Sequence, residues 1–243
     1  MFGRWWFPPA ISRDAAAYDA QFMRTLIAAG IIFVAAQIAL TAIVWYFRAG
    51  KNSAARAATP VNPRLELFWT VTTALLFWGL LALGSRLWSE VQFKAAAPDA
   101  EVIEVLAQQF AWSFRYPGAD GKFGRTEIRY INDASGNPFG LDDNDPRARD
   151  DITTATLRVP AGREVKLVLT ARDVIHSFFV RELRIKQDLV PGMTILLQFR
   201  AELPGTYEVP CSELCGLGHA QMRTTMIVMP AAEYERWKQE QTH

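Results

Sequence analysis

Two long stretches free of charge constrain this chain more than any other feature. Residues 25–47 (TLIAAGIIFVAAQIALTAIVWYF) contain one amide and no charged side chain. At about 1.5 Å of rise per residue they form a helix of roughly 34 Å, enough to cross a hydrocarbon core about 30 Å thick. Residues 67–85 (LFWTVTTALLFWGLLALGS) are equally uncharged, and by the same rise they reach roughly 28 Å. Trp45, Tyr46, Trp69 and Trp88 stand near the ends of the runs, where interfacial aromatics belong. Neither run has the polar face that a surface helix of a soluble protein keeps, so the pair reads as two transmembrane helices. The first run is longer than the apolar core of a cleaved leader, and Thr41 to Phe47 offers no small-residue cleavage site.

Charge sets the expected orientation. Residues 48–64 carry Arg48, Lys51, Arg56 and Arg64 and no acid, so the positive-inside rule places this connection in the cytoplasm and both termini on the outer face. Seven of the 26 basic residues and three of the 25 acidic ones precede residue 86, which leaves the remainder mildly acidic. The expected organisation is an outer-face segment at 1–24, a helical hairpin at 25–89 with its cytoplasmic loop at 48–64, and an outer hydrophilic domain at 90–243. A near-neutral chain gives no electrostatic case for nucleic acid. Two cysteines cannot staple a disulfide-dense scaffold.

Beyond about residue 98 the pattern changes. Short apolar or alternating runs occupy 102–116, 154–159, 165–170, 193–199 and 224–229, punctuated by Pro117-Gly118, Pro160-Ala161-Gly162, Pro191-Gly192 and Pro204-Gly205. Many short strands at such spacing indicate an antiparallel sandwich or barrel. Residues 132–151 are dominated by Pro, Gly, Asn and Asp and read as a solvated surface loop, with a weaker case that its five Asp between 142 and 151 attract a basic partner. Residues 231–239 read as a short terminal helix after Pro230.

The chemistry concentrates in one string, Cys211 to Met222 (CSELCGLGHAQM), which holds both cysteines of the chain, a histidine and a methionine. A disulfide between Cys211 and Cys215 would close a very small loop. Zinc suits Cys and His, but a structural zinc site closes with four ligands and has no use for a thioether. Thiolate, imidazole and thioether together favour copper. Two thiolates are too few for an all-cysteine iron–sulfur cluster, and no C-x-x-C-H is present for covalent haem. Of the other histidines, His243 is the chain terminus, so the second candidate imidazole is His176, in DVIHSFFV at the end of an apolar strand.

Together, DVIHS, then KQDLVPGM, then CSELCGLGHAQM, all following two membrane helices, resemble subunit 2 of the haem-copper cytochrome c oxidases over nearly the whole chain. The resemblance implies a two-helix transmembrane hairpin bearing an all-β, cupredoxin-like Greek-key domain with a dinuclear copper (CuA) centre. It implies that Cys211 and Cys215 bridge the coppers, that His176 and Met222 complete one, and that His219 and the backbone carbonyl of Glu213 complete the other. It also implies a magnesium ion at the boundary with the catalytic subunit, reached by the Glu213 side chain. Glu66, in RLELFWT, takes the place of the family's glutamate at the mouth of a proton pathway. The run QQFAWSFRY at 108–116 resembles the electron-receiving aromatic strand, with Phe110 where the family has its first tryptophan and Trp112 matching the second.

The function so implied is that of the electron-accepting subunit of a bacterial inner-membrane respiratory oxidase. Its expected partners are the haem-bearing catalytic subunit 1, subunit 3, the lipid bilayer and cytochrome c or another cytochrome donor. Haem belongs to the partner, because this chain lacks the ligands for oxygen chemistry. The copper subunit of a nitric oxide reductase is the near alternative. A membrane-anchored copper-binding assembly protein is the alternative of a different class, and the complete set of six ligands speaks against it.

Overall fold

The computed structural model describes residues 7–48, 62–93 and 96–241. The chain divides into two units, one of Met1–Ala16 with Ala95–His243 and one of Ala17–Lys94.

The helical unit is built from α1 (Ala15–Phe47) and α2 (Pro63–Gln92). Both outrun the apolar stretches that announce them, because hydropathy marks the part that needs lipid while helical hydrogen bonding continues past Asp19 and Arg24. None of the apolar window of either helix is buried. So large an exposed apolar surface belongs in lipid, where a helix satisfies every backbone group internally. Side-chain hydroxyls in the spans are satisfied the same way: Thr41 donates to the Gln37 carbonyl at 2.7 Å and Thr73 to the Trp69 carbonyl at 2.8 Å. The start of α2 is sharply defined. Asn62 accepts from the Arg64 and Leu65 amides at 3.1 and 3.3 Å, Pro63 occupies the first turn, and Glu66 follows it, where a carboxylate complements the helix dipole. The connection on which the charge argument rests lies, from 49 to 61, outside the described residues.

The second unit contains ten strands: β1 (Glu101–Gln108), β2 (Ala111–Tyr116), β3 (Ile152–Thr154), β4 (Leu157–Pro160), β5 (Glu164–Ala171), β6 (His176–Val180), β7 (Ile185–Leu189), β8 (Ile195–Arg200), β9 (Gly205–Pro210) and β10 (Arg223–Met229). They form a sheet in the order β3-β2-β1-β5-β8, a second in the order β4-β10-β9, and the ribbon β6-β7. Alternation builds the core: Val165, Leu167 and Leu169 of β5, Ile103 and Val105 of β1, and Met226 and Val228 of β10 are buried together. The pairings β1–β5 and β4–β10 are parallel, so the expectation of a purely antiparallel sandwich is corrected. Such pairs need crossover connections, which turn signals do not reveal. The terminal helix, α4, runs Ala231–Gln241, slightly beyond its expected end.

Three further corrections concern the surroundings of the site. The aromatic run at 102–116 is not one strand but the hairpin β1–β2, with Gln108 facing Ala111 across the turn at Gln109-Phe110. No Gly or Asn marks that turn, because tertiary bonds hold it. His176 opens β6 and does not close an apolar strand. Strands β6, β7 and β9 are absent from the expected set: charged residues between 181 and 188 interrupt the pattern around β6 and β7, and β9 (GTYEVP) is short with Glu208 in its middle.

The segment at 132–151 is also less solvated than its composition implies. It carries a 3₁₀ turn at Asp133–Ser135 and the short helix α3 (Pro146–Arg149), capped by the Asp145 side chain. Asp142 is buried and paired with Arg125, and Asp145 accepts from the Arg125 and Arg147 amides. Asp151 pairs with Arg115, a fully buried guanidinium that also bonds Glu104 at 2.9 Å and the Gly124 carbonyl at 2.5 Å. Asp151 thus answers a buried cation, Asp142 the exposed Arg125, and Asp145 two backbone amides, which weakens the case for a basic partner. Removing one side of a buried ion pair strands the other, at a cost of about 3–5 kcal/mol. Asp151→Ala is therefore expected to lower the thermal midpoint of the β unit by on the order of 10 °C, measured by circular dichroism on the full chain in detergent. An unchanged midpoint would show Arg115 to be satisfied without it.

Candidate metal centre

The string 211–222 links the end of β9 to the start of β10, which pair antiparallel with Pro210 opposite Arg223. Its ends are therefore closed by the sheet. The Cys211 amide donates to the Met222 carbonyl at 2.9 Å, and a turn at His219–Gln221 folds the string back on itself. β6 approaches from the other side: Cys211 bridges to Phe178, and the Ser212 amide donates to the Ser177 carbonyl at 3.0 Å. This is how His176, far away in sequence, reaches the cysteines.

The donor atoms converge. Cys211 Sγ and Cys215 Sγ are 3.8 Å apart and unbonded. His176 Nδ1 lies 3.9 Å from Cys211 Sγ, while His219 Nδ1 and Met222 Sδ each lie 3.7 Å from Cys215 Sγ. The Glu213 carbonyl oxygen is 3.2 Å from Cys211 Sγ. Donors that share an ion at about 2.0–2.3 Å stand on the order of 3.5 Å apart, so these separations suit direct ligation. Six donors, including a thioether, exceed what one tetrahedral zinc uses, and soft sulfur with imidazole suits copper. His176, Cys211, Cys215 and Met222 are buried, and His219 is half-buried. Burial, and then the neighbouring Cys211, pushes the Cys215 thiol up to about 11, so metal uptake at this site must displace protons.

Three supporting residues lie within the quoted motifs, although the sequence alone does not give their roles. Asp173 Oδ1 lies 2.9 Å from His176 Nε2, the nitrogen opposite the one that faces Cys211, and so fixes the ring for ligation through Nδ1. Burial opposes ionisation of this carboxyl, but hydrogen bonds from the Gln109 amide, His176 and the Val174 amide outweigh it and hold the group below the usual carboxylate range. Gln109 donates from its amide to Asp173 Oδ2 at 2.7 Å and from Nε2 to the Cys215 carbonyl at 2.6 Å, tying the β1–β2 turn to the string. Asp188 accepts from Ser177 Oγ and from Lys186 Nζ, each at 2.7 Å. Asp173, Gln109 and Asp188 sit in DVIHSFFV, QQFAWSFRY and KQDLVPGM, which is the sequence cue to each, but their partners come from segments those strings do not name.

The remaining residues singled out by sequence fall in different places. Trp112 is buried, with its ring 6.4 Å from the His176 ring and 6.0 Å from that of Phe178. Phe110 is 40% exposed at the hairpin turn. The Glu213 carboxylate is half-exposed, 3.9 Å from Lys186 Nζ, whereas its carbonyl faces the thiols. Glu66 lies in the helical unit, exposed in the first turn of α2.

The family profile described as cytochrome c oxidase subunit II, periplasmic domain, matches residues 101–229. The chain belongs to that family. The alternative cytochrome c oxidase subunit 2 of Bradyrhizobium diazoefficiens is 36% identical over 243 aligned residues, covering 99% of this chain and 86% of that protein. Cytochrome c oxidase subunit 2 of Cereibacter sphaeroides is 32% identical, covering 89% and 72%. The crystal structure of the periplasmic domain of subunit II of cytochrome oxidase (CoxB) of Bradyrhizobium japonicum aligns at 25% identity over 60% of this chain and 94% of that one, with a TM-score of 0.44. Two apolar helices and a cupredoxin-like β domain are thus the architecture of a subunit II of a haem-copper oxidase. Because the carboxylate behind a ligating histidine typically contributes 10- to 100-fold to metal affinity, Asp173→Asn is expected to weaken copper binding by about that factor, read by competition with a chromogenic chelator. Equal affinities would reduce Asp173 to a turn-former.

Proposed function

We propose that this chain is the electron-accepting subunit of its oxidase, with His176, Cys211, Cys215, His219, Met222 and the Glu213 carbonyl holding a dinuclear copper centre (CuA). The observation that carries this reading is the pair of thiols 3.8 Å apart, each beside its own imidazole. When bound, the copper pair supplies one-electron storage with little change in bond lengths, because two soft thiolates share the electron.

The chain's own residues do the rest. Trp112 wedges against the edge of His176, and Asp173 and Gln109 hold the ring and the Cys215 carbonyl in place. A rigid ligand frame costs little reorganisation when charge changes. Phe110 stands at the surface beside the string and Trp112 behind it, which suits the region to receiving electrons from cytochrome c or another cytochrome. The Glu213 carboxylate, half-exposed and 3.9 Å from Lys186 Nζ, is suited to serve a magnesium ion at a boundary with subunit 1, since its backbone carbonyl alone serves the thiol side. Subunit 1 carries the haem and the oxygen chemistry, and subunit 3 completes the assembly.

Residues 11–15 support the proposed topology in a bacterial inner membrane. Ile11 and Ala15 are buried in the β unit, and the Ile11 and Arg13 amides donate to the Glu182 and Arg200 carbonyls at 3.1 and 3.2 Å. The basic, acid-free residues 48–64 assign the α1–α2 connection to the cytoplasm, so α1 starts and α2 ends on the periplasmic face. Glu66, at the opposite end of the hairpin, then faces the cytoplasm, where a carboxylate is suited to proton uptake for coupled translocation.

Paramagnetic resonance of the copper-loaded chain is expected to show one electron shared by two equivalent nuclei. Cys211→Ser and Cys215→Ser should abolish that spectrum, whereas Met222→Leu should keep it and shift the potential, because the axial ligand tunes more than it holds. A spectrum from a single copper nucleus sinks the dinuclear assignment. In the assembled oxidase, Glu66→Ala is expected to slow turnover severalfold and leave the copper spectrum intact. Equal turnover across the accessible pH range would make Glu66 only an interfacial carboxylate.

A further inference from the structure

Helix α1 carries an open groove near its C-terminal end. Leu40, Thr41, Val44, Trp45 and Arg48 line it, around a volume of about 340 Å³, the size at which small-ligand sites begin. These positions fall at i, i+1, i+4, i+5 and i+8, so they form one stripe along about 12 Å of the helix. The walls are apolar: Leu40, Val44 and Trp45 are each more than half exposed. The one hydroxyl among them is used by the helix itself, since Thr41 donates to the Gln37 carbonyl at 2.7 Å. A groove that offers no free polar group along its length is suited to a hydrocarbon chain.

The charge at its end decides what that chain carries. Arg48 closes the groove immediately after the uncharged run, with its Cζ 3.9 Å from the centre of the Trp45 ring. A guanidinium stacked on a ring is held in place while the N–H groups on its edge stay available, and their fork matches two oxygens of a phosphate. Among the described residues no carboxylate pairs with Arg48. Near the far end of α2, by contrast, Arg86 is answered by Glu90 at 3.2 Å. Residues 48–64 add Lys51, Arg56 and Arg64 and no acid. The ammonium of a zwitterionic headgroup would meet only like charge there, whereas a headgroup of net negative charge would meet only attraction.

We propose that this groove binds one anionic phospholipid of the cytoplasmic leaflet, with an acyl chain along Leu40, Val44 and Trp45 and the phosphate held by Arg48. The inference rests on the two-span topology proposed above, which puts Arg48 at the cytoplasmic interface.

The full chain is reconstituted in nanodiscs of phosphatidylglycerol and phosphatidylcholine in equal parts, released into mild detergent, and its retained lipid counted by native mass spectrometry. One phosphatidylglycerol per chain is expected, kept about fivefold over phosphatidylcholine, the factor that one cation at an anionic surface supplies. Arg48→Gln should erase that preference and Arg48→Lys should restore most of it. Val44→Trp, which fills the groove and leaves the charge, should release the lipid, with helicity by circular dichroism unchanged in all three variants. Inorganic phosphate in excess should displace nothing, because it offers no chain to the groove. In the assembled oxidase, benzoylphenylalanine in place of Leu40 should crosslink to lipid. The proposal is overturned if both lipids are retained equally, if Arg48→Gln or Val44→Trp holds phosphatidylglycerol as wild type does, if free phosphate competes it away, or if the crosslink forms with another subunit or a second copy of the chain. The topology is judged apart, by labelling Ser53→Cys with an impermeant maleimide in spheroplasts and in inverted vesicles: labelling from the cytoplasmic side upholds it, and labelling from the outer side removes it whatever lipid is bound.

Discussion

Everything at this site depends on keeping two buried thiols a few ångströms apart without letting them close into a disulfide. The constraint is met by anchoring both ends of one short string in the β9–β10 ladder and pinning its first cysteine to β6. The string cannot relax without breaking pairs in two sheets. Burial and then the neighbouring Cys211 push the Cys215 thiol up to about 11, so the site disfavours free thiolates and is suited to a cation that would compensate their charge.

A second layer extends that rigidity outward. The Asp173 carboxylate joins the β1–β2 turn to His176, and Gln109 joins the same turn to Cys215. The turn that presents Phe110 is thus bonded to the ligands themselves. A change of position at the surface would be felt at the metal donors, and the reverse holds too. Trp112, buried behind His176, closes the frame from the core side.

The clustered donors were legible in the sequence because their chemistry is unusual and their spacing is local: Cys, Cys, His and Met within one string admit few uses. The two membrane helices were equally legible, since a charge-free run of that length has little other fate. The supporting residues were not. Asp173 and Gln109 act through contacts between segments far apart in the chain, and nothing about an Asp before a strand or a Gln at a hairpin distinguishes them beforehand. Strands β6 and β7 were hidden for a related reason: their ribbon is interrupted by charges and by Arg184, held in a left-handed conformation at φ 62° and stabilised by its own bonds to the Arg181 and Pro8 carbonyls. The acidic stretch misled because composition counts charges without showing that Arg115 and Arg125 already answer them.

The segment ahead of α1 carries a consequence for biogenesis. Ile11 pairs with the backbone of Glu182 and Glu202, and Arg13 with that of Arg200, all of which leave the ribosome after both long helices have been made. The first helix is therefore made while its own tether has no dock, and the tether can close only once Glu202, just beyond β8, has been made. A chain truncated before β8 would leave Ile11 and Arg13 without the Arg200 and Glu202 partners.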